Sequence, residues 1–108
     1  MSAPTSFAEF WPEYLAAHSA PATRALHFIG SSLAVICFVV FLATLDWRFL
    51  VATPIVGYGF AFVSHFTIEH NNPKTFENPL WSLMADYRML GLWLMGRLQP
   101  ELTRTARV

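Results

Sequence analysis

Two stretches decide the fold of this chain: Phe28–Leu45, FIGSSLAVICFVVFLATL, and Phe49–Ile68, FLVATPIVGYGFAFVSHFTI. Neither contains a charged residue, and only Asp46-Trp47-Arg48 separates them. Each approaches the roughly 20 apolar residues that cross a hydrocarbon core at about 1.5 Å per residue. Two such runs joined by a short polar step predict an antiparallel transmembrane hairpin. Buried helices of a soluble bundle carry the same signature, but a chain of 108 residues leaves too little protein to cover both runs. Within the second run Pro54, Gly57 and Gly59 mark a kink or a close helix contact, because backbone groups freed by proline or glycine are tolerated where neighbours satisfy them.

Composition agrees with a membrane location. Hydrophobic residues make up 55% of the chain and charged ones 13%, against roughly 25% charged in soluble domains. A formal net charge of zero argues against nucleic acid as a partner, since phosphate binding needs a concentrated basic surface. The single cysteine, Cys37 in VICFVVF, has no internal disulfide partner and reads as a buried, inert thiol. No basic region precedes an apolar core in MSAPTSFAEFWPEYLAAH, so a cleaved signal peptide is not expected and the protein's own helices hold it in the bilayer.

Outside the hairpin, Phe7, Phe10, Trp11, Tyr14 and Leu15 repeat with an approximate helical period. Ser6 and Glu9 fit a capping box, and Pro12 kinks this element or delays its start. It reads as an interfacial helix lying against the bilayer or over the bundle. Pro21 starts the next helix, capped by Ser19 or Ala20. Pro73 and Pro79 bracket a loop, after which LWSLMADYRMLGLWLMGRL resumes a helical pattern as an amphipathic or spanning helix anchored by Trp81, Tyr87 and Trp93. The expected architecture is therefore all-α: one small integral membrane helical bundle over 1–108, with its core at 7–96 and a flexible tail at 98–108. Arg24, Lys74, Arg97, Arg104 and Arg107 lie outside the hairpin turn, which carries only Asp46 and Arg48. The positive-inside tendency then puts both ends in the cytoplasm.

The chemistry lies in four histidines: His18, His27, His65 and His70. In a hairpin centred between Asp46 and Trp47, the position level with His27 falls about one residue beyond His65. His18 just precedes the first span and His70 just follows the second, so all four collect near one interface. A lone histidine at a helix end is ordinarily a cap or a hydrogen-bonded surface group. The matched depth of His27 and His65 points instead to a shared metal site, since neutral imidazoles ligate iron, zinc, copper or nickel. Glu69 shares a helical face with His65 and is a ligand, an acceptor for an imidazole N–H, or a base. His70 lies about 140° around a regular helix from His65, so it joins the same metal only if the helix unwinds, as HNNP favours, or if a second cluster forms. Asp86 either orients a metal-bound histidine or pairs with Arg24, Arg88 or Arg97. No glycine-rich phosphate loop, Cys-x-x-Cys pair, serine elbow or His-Glu-x-x-His motif is present.

FWPEYLAAHSAPATRALHFIG and SHFTIEHNNPKTFENPLWSLMADYRML, with Tyr-x-x-x-His, His-x-x-Gly and His-x-x-x-Glu in this order, resemble the short bacterial branch of a membrane family. That family was long known only as a domain of unknown function, and its yeast member is an endoplasmic reticulum 2-hydroxy fatty acid dioxygenase. The resemblance covers roughly Phe7 to Gly96 and carries over His18, His27, His65 and Glu69; a histidine at the position of His70 is not general in it. It implies a bacterial inner membrane enzyme that performs Fe(II)-dependent alpha-oxidation of a long-chain 2-hydroxy acid with O2 and loss of one carbon. Imidazole serves Zn(II) as well as Fe(II). Arg24 or Lys74 would neutralise the substrate carboxylate, the acyl chain would lie among apolar helices, and a homodimer would shield the metal further. The alternatives are a non-enzymatic scaffold with structural histidines, and a metal or proton transporter, which the clustering of histidines near one interface disfavours.

Overall fold

The structure, a computed structural model, describes residues 3–106. Among the described residues five α-helices follow one another: α1 (Phe7–Ala16), α2 (Pro21–Thr44), α3 (Trp47–Ser64), α4 (Pro79–Leu94) and α5 (Leu98–Ala106). A π-helical turn at His65–Glu69 extends α3, and a 3-10 turn at Lys74–Phe76 precedes α4.

Helices α2 and α3 form the expected antiparallel pair. Leu45 closes α2 in the left-handed conformation, with φ 55°, and Asp46 caps α3 by accepting from the Arg48 amide at 3.1 Å. The two helices cross closely at Gly30, where an added Cβ would lie 2.8 Å from Phe60 Cβ and 3.2 Å from the Gly57 carbonyl oxygen. Gly57 faces Ala34 across the same crossing, whereas Gly59 touches nothing there. Pro21–Thr44 and Trp47–Glu69 are both long and apolar enough to cross a membrane, with mean hydropathies of 2.3 and 1.5. Only 22% and 17% of their most apolar windows are buried within the protein, which is the opposite of a soluble core helix. The outward faces carry Ile29, Leu33, Ile36, Val39 and Leu42 on α2, and Val51, Ile55 and Val63 on α3.

The core sits at one end. Phe10, Trp11, Tyr14 and Leu15 of α1 pack with Ala85 and Met89 of α4 and Leu98 of α5. The apolar face of α1 is thus covered by protein and lies over the bundle. Ser6 caps it by accepting from the Glu9 amide at 3.2 Å, while the Glu9 carboxylate reaches back to the Thr5 amide at 3.1 Å, one residue earlier than a standard capping box places it. Pro12 sits inside α1, which begins at Phe7 all the same.

The C-terminal stretch departs from expectation. Residues 98–106, read as a flexible tail, form α5, which buries Leu98 and Thr105. Pro100 falls in its first turn, where a missing amide costs little. Gly96, with φ 71°, makes the left-handed link between α4 and α5, its amide and that of Arg97 returning to the carbonyls of Trp93 and Leu92. Trp11 Nε1 donates to Glu101 Oε1 at 2.8 Å, Arg104 pairs with the same carboxylate, and the Arg88 guanidinium lies 4.7 Å from the centroid of the Trp11 ring. Arg107, counted among the charges at the cytoplasmic side, lies outside the described residues.

Candidate metal centre

The hairpin register brings His27 of α2 and His65, at the junction of α3 with its π turn, to 5.1 Å between ring centroids. His18, in the link between α1 and α2, closes the group at 4.3 Å from His27 and 4.5 Å from His65. All three are buried, at 1%, 3% and 2% exposure. One ligand atom from each lies within 4.8 Å of the others, so the cluster is able to hold a metal ion.

The hydrogen bonds fix which nitrogen faces inward. His18 Nδ1 lies 2.6 Å from the Tyr14 carbonyl oxygen and His27 Nδ1 3.0 Å from that of Thr23. A carbonyl can only accept, so both Nδ1 atoms carry the proton. His65 Nδ1 lies 2.7 Å from Asn71 Oδ1, and Asn71 Nδ2 donates to the Ala17 carbonyl at 3.2 Å. The Ala17 bond orients the amide, which makes His65 Nδ1 a donor too. Three unprotonated Nε2 atoms are left facing one another, with His18 3.0 Å from His27 and 3.1 Å from His65. Neutral packing groups would not aim three lone pairs together. Two ligands at right angles, each about 2.1 Å from a common ion, would lie about 3.0 Å apart; the His18–His27 and His18–His65 separations match that spacing, and all three ligand atoms lie within 4.8 Å of one another, so the donor set suits a metal ion. Burial, reinforced by His27, holds His18 well below the ordinary histidine range, which keeps its lone pair free.

The other expected site residues are placed differently. Glu69 points at the start of α2, accepting from Ser19 Oγ at 3.0 Å, the Ala20 amide at 2.8 Å and Thr23 Oγ1 at 2.6 Å. Ala20, the residue at the cap position, has no side chain for that task, and Glu69 performs it from across the bundle. Arg24 Nη1 donates to the carbonyls of His18 at 2.8 Å and Ser19 at 2.9 Å, fixing the link that carries His18. Lys74 pairs with Glu77 at 3.8 Å. His70 is exposed and left-handed, with φ 57°. The helix does unwind at HNNP, but the reversal turns His70 outward, and it stands apart from the other three histidines. Asp86 contacts none of the four expected partners: its Oδ1 accepts from the Tyr14 hydroxyl, while Arg88 goes to Glu101 at 3.9 Å. Burial pushes the Asp86 carboxyl up to about 7.

Tyr14, Thr23 and Asn71 complete the surroundings of the histidines. Tyr14 stacks on His18 at 4.0 Å between centroids. Its spacing was visible in the sequence: Tyr14–His18 and Thr23–His27 are both four apart, and each ring bonds the carbonyl one turn back. Asn71 carries no such local signal, because its two contacts join the end of the second span to the end of α1.

No curated protein and no solved structure matches the chain. A family model described as 2-hydroxy-palmitic acid dioxygenase Mpo1-like matches residues 4–98. The match takes in both spans, α4 and all three converging histidines, and the chain belongs to that family.

Proposed function

We propose that the protein oxidises a long-chain 2-hydroxy fatty acid with O2, through Fe(II) held by His18, His27 and His65. Family membership and the tri-histidine cluster make it a dioxygenase-like oxidoreductase with a metal centre. The convergence of three Nε2 lone pairs in a buried site carries the reading. In the reaction the C1–C2 bond breaks, and one 2-hydroxy acid with one O2 gives the acid one carbon shorter, CO2 and water. Four electrons leave the substrate and reduce O2.

Fe(II), when bound, supplies the electron transfer that O2 needs and a Lewis acid for the 2-hydroxy acid. The chain's own residues hold the ring geometry and exclude water. Tyr14, Thr23 and Asn71 set the three tautomers. Glu69 and Arg24 lock the link that carries His18 from two sides. The Tyr14 ring covers His18, and the Asp86 carboxyl fixes the Tyr14 hydroxyl.

The charge pattern supports an inner membrane setting with both ends in the cytoplasm, since Arg24, Lys74, Arg97 and Arg104 all lie outside the Asp46–Arg48 turn. The test is direct. Protein loaded anaerobically with Fe(II) and given O2 should convert 2-hydroxypalmitate to the acid one carbon shorter, and Zn(II)-loaded protein should not. Failure of the iron-loaded protein to consume the substrate would remove this reading.

A further inference from the structure

A cavity lies between α2, α3 and α4, with a volume of about 210 Å³. Its wall includes Ser31, Thr53, Tyr58, Leu83, Asp86 and Tyr87. Ser31 is one turn beyond His27 on α2, so the cavity begins about 6 Å from the histidine level; Thr53 is twelve residues before His65, about 18 Å away along α3. Its two ends differ in chemistry. Near the metal centre stand Ser31 and Asp86, and Asp86 reaches the centre through the Tyr14 hydroxyl and the Tyr14 ring on His18. Toward the hairpin turn the wall is Ala34 of α2 and Gly57, Pro54 and Thr53 of α3, and Leu83 lines it from α4. The Thr53 hydroxyl is already given to the Phe49 carbonyl at 2.9 Å.

We infer that this cavity holds the proximal part of a single acyl chain whose polar head lies at the tri-histidine centre. The inference rests on the reading above and extends it to a place for the tail. A cavity of about 150 Å³ accepts benzene, so this one has room for a run of about eight carbons. The remaining tail leaves past Leu83, which is 43% exposed, toward the surrounding lipid. The polar-to-apolar order of the wall matches an acid with its hydroxyl and carboxylate at one end, and it sets the direction in which the substrate lies. Thr53 and Leu83 are then specificity-determining residues for chain length.

The experiment uses the full, metal-loaded chain in lipid nanodiscs under nitrogen, with 2-hydroxypalmitate bearing a mid-chain diazirine. Irradiation should label Tyr58, Leu83 or Tyr87, and unlabelled 2-hydroxypalmitate should compete. Thr53→Phe and Leu83→Trp, which fill the cavity from α3 and from α4, should each weaken that competition about tenfold, the effect of losing roughly two buried methylenes, with metal content unchanged. Competition by 2-hydroxyhexanoate should be unaffected. Labelling confined to outward residues such as Ile36 and Val39, or cavity labelling that neither filling variant alters, would overturn the inference. Turnover measured in parallel separates the two claims: cavity labelling without turnover removes the alpha-oxidation reading alone, and turnover without cavity labelling removes the tail site alone.

Discussion

The two ends of the bundle solve opposite problems. At the histidine end, α1, α4 and α5 cover the start of α2, polar side chains are buried, and each ring has a fixed partner. At the turn end, Leu42, Leu45 and Trp47 are 58%, 75% and 67% exposed, and the Asp46–Arg48 pair is the local polar contact. Stability and chemistry are concentrated at the first end. The second is apolar and largely uncovered by the protein, as befits helices long and apolar enough to cross a membrane. Helices of the same pair therefore carry two kinds of sequence information: specific residues near their outer ends, and mere hydropathy near their turn.

The contrast breaks most readily through the core. Phe10→Ala should cost about 3–5 kcal/mol in a detergent unfolding measurement, as for a fully buried aromatic. Ile36→Ala, at an exposed position of α2, should stay within about 0.5 kcal/mol. Comparable losses from both would erase the distinction between the ends.

Asp86 gives a pH signature belonging to the histidine end alone. Its folded value of about 7 lies above the ordinary 3.8, so the folded chain binds a proton that the unfolded chain has released. The associated stability is fully present below about pH 4 and is lost as pH rises through 7, by up to about 4 kcal/mol. Asp86→Asn should flatten that slope, and a slope unchanged by Asp86→Asn would assign it to another group. Asp46, held below its ordinary value by its hydrogen bonds from Arg48 in the turn, should contribute no such loss as pH rises.

Smaller effects sharpen the account of the site. Asn71→Ala should weaken metal binding about 10–100-fold, the usual cost of losing a hydrogen bond to a ligand's second nitrogen. Asn71→Asp, which retains the acceptor, should recover most of it; equal losses in both would show that Asn71 acts only through folding. Glu69→Gln should lower stability by about 1 kcal/mol, the scale of a helix cap, with less effect on metal content than Asn71→Ala. A larger metal loss from Glu69→Gln would return Glu69 to the centre.

The legible part of this architecture follows from short-range rules. Hydropathy gave the hairpin, and counting from Asp46-Trp47 brought His27 and His65 to one level because helical rise is fixed. His18 follows because it lies just before the helix that carries His27. What escaped depends on tertiary contact. Leu98, Leu102 and Thr105 lie on one face, yet Pro100 and a polar composition suggested fraying, and only the Trp11–Glu101 bond and the core beneath show why α5 forms. The sequence offers Asp86 a histidine or a cation as partner, whereas it accepts from a tyrosine hydroxyl on a helix distant in sequence. His70 was placed on a continuing helix or in an unwound one, and a single left-handed residue decided that it faces out.

The most direct test of the central claim is elemental analysis of protein purified anaerobically in mild detergent, beside the His65→Ala variant. The account predicts about one transition-metal ion per chain, iron when iron is supplied, and its loss in His65→Ala with helix content retained. Equal metal content in both proteins, or no metal in either while the fold is intact, would contradict it.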